Sequence, residues 1–148
     1  LDDIFAHRGI RHAHHVENNA DAEAILLQLA REGRSGLVFA NLIDFDMLFT
    51  ERAEGYGRAL EKTDAFLAAF LPLLSADDLL IITADHGNDP TFKGSDHTRE
   101  FTPLLVYQPK RPAQNLGIRR GFYDIAQSIA GRLGIPPMPR GRSFLPAK

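Results

Sequence analysis

Cysteine is absent from the 148 residues, which excludes disulfides and thiolate metal sites. Any metal must then be held by carboxylate, imidazole, carbonyl or water. No apolar run is long enough to span a bilayer: the longest, around Phe66 to Leu74, is broken by Pro72. An excess of one charge is also lacking. The formal net charge is -2, which gives no general polyanion-binding footprint, so neither nucleic acid nor membrane is expected as a partner. No secretory signal opens the chain, and a cytoplasmic location is the expectation. The first residue is Leu1 rather than Met, so the chain reads as a piece of a longer product. There are no internal repeats. What is present is ordinary for a globular core: 44% hydrophobic and 24% charged residues, in a length sufficient for one domain spanning residues 1–148.

Residues 1–15 look irregular and rich in His and Arg. Ala22, Ile25, Leu26 and Leu29 recur at helical spacing within a helix expected over Ala20 to Arg31, with Asn19 as its N-cap. Gly36 to Asn41 has the composition of a short buried strand. A second helix is expected over Gly55 to Leu74. Leu79 to Thr83 is a strand apolar on both faces, which suits the middle of a parallel sheet covered by helices. Thr102 to Tyr107 is a third strand, Pro109 to Gly117 a loop, and Phe122 to Leu133 a third helix stopped by Gly134 and Pro136. The Pro/Arg-rich tail from Pro136 is expected over the surface. The order α-β-α-β-β-α predicts an α/β fold with its site at the C-terminal strand ends.

Three polar clusters stand at those ends: Asn41 to Glu51, with Asp44 and Asp46; Thr83 to Asp89, with Asp85 and His86; and Gly94 to Glu100, with Asp96 and His97. Each offers hard oxygen or imidazole. Neighbouring Asp85 and His86 point different ways, which lets one residue reach one ion and its neighbour another. Two divalent ions about 4 Å apart can clamp the attacking and leaving oxygens of a phosphoryl transfer. Carboxylates mixed with imidazole suit Mn²⁺ or Zn²⁺ better than Mg²⁺. Taken singly, each cluster has a plainer explanation as a turn or a helix cap. Their joint occurrence in order behind buried strands favours the metal. The tract His12, His14 and His15 has metal-binding composition without an acidic partner cluster and is expected to be a solvated surface segment.

With these clusters the chain resembles the phosphopentomutases of the alkaline phosphatase superfamily. The resemblance rests on Asn41 to Asp46, Thr83 to Gly87, Asp89 with Pro90, and Ser95 to Glu100. It extends to Asp3 to Ala6, Phe122 to Ala126 and Gly141 to Leu145. It implies a three-layer α/β sandwich of alkaline phosphatase type, of which this chain is the C-terminal part of the core. It also implies a cofactor of two divalent metal ions, usually Mn²⁺. Asp46 and His97 would serve one ion, and Asp85 and His86 the other. The implied substrate is a phosphorylated pentose, with (deoxy)ribose 1-phosphate and 5-phosphate interconverted through a phosphorylated threonine. That threonine, a further metal-binding aspartate and a substrate cap belong to an N-terminal segment of the family and have no counterpart in these residues.

One position departs from the family pattern. Where the family has a histidine, five residues after the aspartate matched by Asp46, this chain has Glu51. Glutamate binds Mn²⁺ through oxygen and would make a harder, more anionic site; alternatively the first metal site is lost. Three functions remain open: a phosphopentomutase-like isomerase, a phosphatase or phosphoglycerate mutase relative on the same core, and a non-catalytic binding or assembly module. If the sheet lacks strands it normally pairs with, an apolar edge is exposed and self-association of the chain is expected.

Overall fold

The computed structural model describes residues 3–50, 52–94 and 96–146. The chain forms two compact units, Leu1–Lys110 and Arg111–Lys148.

In the first unit, helix α1 spans Asn19–Glu32. Its N-cap is Asn18 rather than Asn19: the Asn18 side chain accepts the Asp21 N–H at 3.0 Å. That satisfies one of the first-turn donors a helix leaves unpaired. Gly33 ends the helix in the left-handed conformation, with φ of 62°, which costs glycine little. A one-turn helix α2, Asp44–Met47, and the long helix α3, Ala53–Phe70, follow. Pro72 converts the end of α3 into a 3-10 turn over Leu71–Leu73, because its ring cannot continue an α-helix. Helices α1 and α3 pack together; Ala22, Ala59 and Phe70 are the buried apolar residues of this unit among those described, with Phe66 stacked on Phe70 at 5.2 Å.

Strand β1, Leu80–Thr83, pairs with β2, Leu104–Tyr107. The pairing is antiparallel, with Leu80 opposite Tyr107 and Thr83 opposite Leu104. This corrects the expectation of a parallel sheet. Parallel neighbours need a crossover connection, whereas the segment after β1 doubles back on itself. The expected strand over Gly36 to Asn41 is likewise not a strand. Its backbone makes no ladder, and Leu37, Val38 and Phe39 are exposed, Phe39 at 66%. A strand is defined by a partner, and the described residues supply none. Both sheet strands number four residues, and the outward Leu105 is 60% exposed. The architecture is therefore α/β with a small antiparallel sheet.

The second unit is helix α4, Tyr123–Leu133, closed by left-handed Gly134, and the tail folded against it. The tail does not simply lie over the surface. Phe144 is buried, its N–H donates to the fully buried Ser128 hydroxyl at 3.0 Å, and Ser128 in turn donates to the Asp124 carbonyl. The Arg142 N–H donates to the buried Asp124 carboxylate at 2.8 Å. Gly141 allows this approach, since a Cβ there would stand 2.4 Å from the Tyr123 carbonyl oxygen. No helix among the described residues is long and apolar enough to cross a membrane.

Glu23 on α1 provides a test of the first unit's packing. Partial burial and the nearby Asp44 carboxylate push its carboxyl above the ordinary value of 4.5, and Lys62 only partly opposes this. A carboxyl raised on folding contributes its full stability below the unfolded value. The contribution is lost as pH rises through the folded value. At neutral pH the charged Glu23 is a small net cost. Glu23→Gln is expected to raise the urea midpoint at pH 7, with the gain disappearing below pH 4.5.

Candidate metal centre

The segment between β1 and β2 carries two of the three polar clusters on the two arms of one long hairpin. Asp85 and His86 leave the end of β1, and His97 lies on the returning arm. The arms are joined by an antiparallel bridge between Gly87 and Thr98. The Thr98 hydroxyl accepts the Asp89 N–H at 2.6 Å and donates to the Glu100 carboxylate. Glycine is required at position 87. A Cβ there would lie 2.5 Å from the Glu100 carbonyl oxygen and 2.6 Å from its nitrogen, contacts with backbone that no rotamer change relieves. The antiparallel pairing of Gly87 with Thr98 makes His86 and His97 diagonal neighbours across the two arms. Their rings stack at 3.9 Å between centroids with 15° between planes.

The third cluster arrives on α2. The Asp44 N–H at the start of this helix donates to the side-chain oxygen of buried Asn19 at 3.0 Å, the role Asn19 plays in place of capping α1. Phe45 packs edge-on against Tyr56 of α3 at 5.3 Å. Thr50 donates to the Asp46 carbonyl, and the Asn88 side chain, on the hairpin, donates to the Thr50 carbonyl at 3.3 Å. These ties hold the α2 turn to the hairpin and bring Asp46 to the histidines.

The result is a group of three donors, Asp46, His86 and His97, whose ligand atoms all lie within 4.8 Å of one another. Asp46 Oδ1 is 3.7 Å from His97 Nδ1, and Asp85 Oδ1 is 3.6 Å from His86 Nε2. Both separations are too long for hydrogen bonds. Both are within the roughly 4.2 Å that two ligands at about 2.1 Å from one ion can span. The His86 tautomer follows from its neighbour. Nδ1 lies 3.0 Å from the Gly87 carbonyl oxygen, which only accepts, so in the neutral ring Nδ1 carries the hydrogen and Nε2 an open lone pair. That lone pair faces the Asp85 carboxylate, an arrangement a cation between them resolves. A backbone carbonyl orienting the far nitrogen is the usual support of a metal-binding imidazole. The donor set therefore fits a divalent metal.

Of the five residues singled out in the sequence, three converge. Asp85 stands beside His86 with its side chain 89% exposed and outside the three-residue group. Glu51 lies outside the described residues. The tract His12, His14 and His15 joins no group of potential ligands among the described residues. Asp89 takes a structural part. Its carboxylate accepts the Thr91 hydroxyl at 2.7 Å and the Thr91 N–H at 2.9 Å, and these bonds hold its carboxyl below the ordinary value of 3.8. The sequence marked Asn19 only as a helix cap, and did not mark Asn88. An asparagine beside a cluster is too common to signal a positioning role.

Residues 4–137 match the Metalloenzyme superfamily. Over 147 residues the chain is 43% identical to a protein named phosphopentomutase from Symbiobacterium thermophilum, covering 97% of this chain and 37% of the relative. It is 45% identical to a phosphopentomutase from Alkaliphilus oremlandii over 97% of this chain and 38% of that protein. It is also 45% identical to one from Rhizobium johnstonii over 98% and 36%. The chain thus spans a little over a third of the length of the curated relatives it matches.

The Gly87 contact makes a specific demand. Gly87→Ala is expected to destabilise the hairpin by about 1–3 kcal/mol, the usual range for forcing atoms into a packed space. It should also weaken divalent-metal binding, because the two histidines depend on this pairing. Thermal unfolding with and without Mn²⁺ measures both. An unchanged metal-induced shift would show that the bridge does not hold the ligands.

Proposed function

The chain belongs to the Metalloenzyme superfamily, and from that premise we propose that it supplies one face of a two-metal phosphotransfer site acting on a phosphorylated pentose. The reaction class is that of a phosphopentomutase: interconversion of a pentose 1-phosphate and 5-phosphate. The observation that carries this is the meeting of Asp46, His86 and His97, with Asp85 alongside, on a segment similar throughout to proteins of that name.

Ring geometry supports the pairing of ligands that the family resemblance implies. An imidazole binds an ion in its own plane, and two rings stacked nearly parallel direct their lone pairs along separate planes. His86 and His97 are thus suited to different ions. Asp46 with His97 forms one pair and Asp85 with His86 the other, each at a separation one ion can bridge. Mn²⁺ fits the mixture of carboxylate and imidazole. When bound, such ions neutralise charge on a transferring phosphoryl group. The chain's own contribution is to orient the ligands. The Gly87 carbonyl sets the His86 tautomer, Asn88 ties the hairpin to the α2 turn, and Asn19 fixes where that turn starts. Glu51 stands where the relatives' family pattern has imidazole, and its carboxylate would complete the Asp46 site with a harder ligand. The two-stranded sheet and its helices are, on this reading, part of a three-layer sandwich of alkaline phosphatase type, and the reaction is cytoplasmic.

In the natural gene product, Mn²⁺-dependent conversion of ribose 1-phosphate to ribose 5-phosphate is expected, with Asp85→Asn lowering kcat at least 100-fold by the loss of a charged metal ligand. Full activity in that variant would sink the assignment. No turnover in folded, metal-loaded protein would favour a non-catalytic relative, and Glu51→His would then test whether the missing imidazole is the cause.

Leu105, Phe39 and Phe101, the last 85% exposed, leave large apolar side chains open to solvent. Self-association is expected on sedimentation at high protein concentration. A clean monomer there would contradict it.

A further inference from the structure

The charge of the chain is unevenly divided. Residues 111–148 carry six arginines and one lysine against a single acidic residue, Asp124, while the first 110 residues carry ten basic and eighteen acidic residues. The near-neutral total conceals a strongly basic second unit. Within that unit lies an open basin of about 750 Å³, lined among others by Arg111, Gln114, Arg119, Arg142, Ser143 and Phe144, with no acidic side chain among the described residues of its wall. The volume falls within the roughly 300–1,000 Å³ of small-molecule sites.

The wall is built, not merely decorated. Asp124, buried at the first turn of α4, accepts the Arg142 N–H at 2.8 Å and holds the Arg119 guanidinium at 3.7 Å. Arg119 is fixed further by donating from Nε to the Leu116 carbonyl at 3.0 Å and by lying 5.7 Å over the Phe144 ring. One carboxylate thus neutralises one arginine and anchors the backbone of a second. The Arg142 side chain has no partner among the described residues and is exposed, so its charge is uncompensated. Planar guanidinium forks on a fixed wall match the oxygens of a phosphoryl group.

We propose that this basin is a binding site for the phosphoryl group of a small phosphorylated metabolite or of inorganic phosphate, lined by none of the metal-centre residues and independent of metal. A concave basin fits a small ligand better than a nucleic acid strand, which is tracked by an extended basic groove with stacking aromatics. The proposal stands whether or not the metal centre turns over a pentose phosphate.

The test is isothermal titration of the whole 148-residue chain, kept in EDTA so that the metal centre cannot hold phosphate. Inorganic phosphate and ribose 5-phosphate are the two probes. Saturable binding of either is expected, weakening as salt is added. Arg142→Ala and Arg111→Ala should each weaken it roughly tenfold, the loss of one charge-assisted contact. Arg142→Lys should retain part of the affinity. Tighter binding of ribose 5-phosphate than of phosphate would identify a sugar phosphate as the ligand, and equal binding would identify the bare phosphoryl group. The proposal is overturned if neither probe binds, if both arginine variants bind as the native chain does while keeping its circular dichroism, or if a single-stranded oligonucleotide binds through the same arginines more tightly than both probes.

Discussion

The close approach of Gly87 to the Glu100 backbone is the contact on which the candidate centre depends. It closes a hairpin whose two arms would otherwise be free, and it turns two distant stretches of sequence into facing walls. Everything near it follows from that closure. The Thr98 hydroxyl satisfies the Asp89 N–H, His86 and His97 come face to face, and β1 and β2 are set antiparallel because the chain returns the way it came. Only glycine permits the approach, since the obstacle is backbone and cannot step aside. The hairpin in turn offers Asn88 to the Thr50 carbonyl, the tie that brings the third donor within reach.

The first unit has little buried apolar surface to hold this arrangement. Ala22, Ala59 and Phe70 are its buried apolar residues among those described. The positions of the donors are set instead by a chain of directional polar contacts, from Asn19 to Asp44, through Thr50 to Asn88. Directional bonds define geometry well but each contributes only about 1 kcal/mol net. The acidic first unit also concentrates like charge, visible where Asp44 helps push the Glu23 carboxyl upward. A bound cation at the centre would offset that repulsion and supply the cohesion that the small core lacks, so metal binding and stability of this unit are coupled.

Much of this was legible in the sequence, and the exceptions have physical reasons. Helical periodicity located α1, α3 and α4 to within a few residues, and Gly134 marked the end of α4; the helix expected to run to Leu74 instead stops at Phe70, where Pro72 turns the chain into a 3-10 turn. The three polar clusters were visible as candidates. Their distances were not, because pairing of Gly87 with Thr98 is a tertiary fact. Composition also promised a strand over Gly36 to Asn41, but apolar residues form a strand only when an edge is offered to them. Leu79 to Thr83 looked fit for a parallel sheet because it is apolar throughout, and apolarity carries no information about direction. Asn18 and Asn19 are equivalent as sequence signals. Only the arrival of Asp44 separates them. The basic basin was hidden by averaging, since a net charge of -2 describes neither unit; counting charge along the chain would have exposed it.

The carboxylates show how burial and partners sort one residue type into different tasks. Asp124 is buried and fully engaged, with a backbone N–H on one oxygen and a guanidinium beside the other. A charge so placed is structural, since removing a partner would leave it uncompensated in a poorly solvated position. Asp89 is solvated, yet both of its bonds come from Thr91, which makes it a turn residue. Asp85 is the opposite case. It accepts no hydrogen bond from the described residues, is open to solvent, and faces the lone-pair side of an imidazole whose other nitrogen is already committed to the Gly87 carbonyl. No intramolecular partner accounts for that orientation. With the ring neutral, a carboxylate and an imidazole nitrogen 3.6 Å apart both present electron pairs, a pairing whose chemistry suits a cation between them.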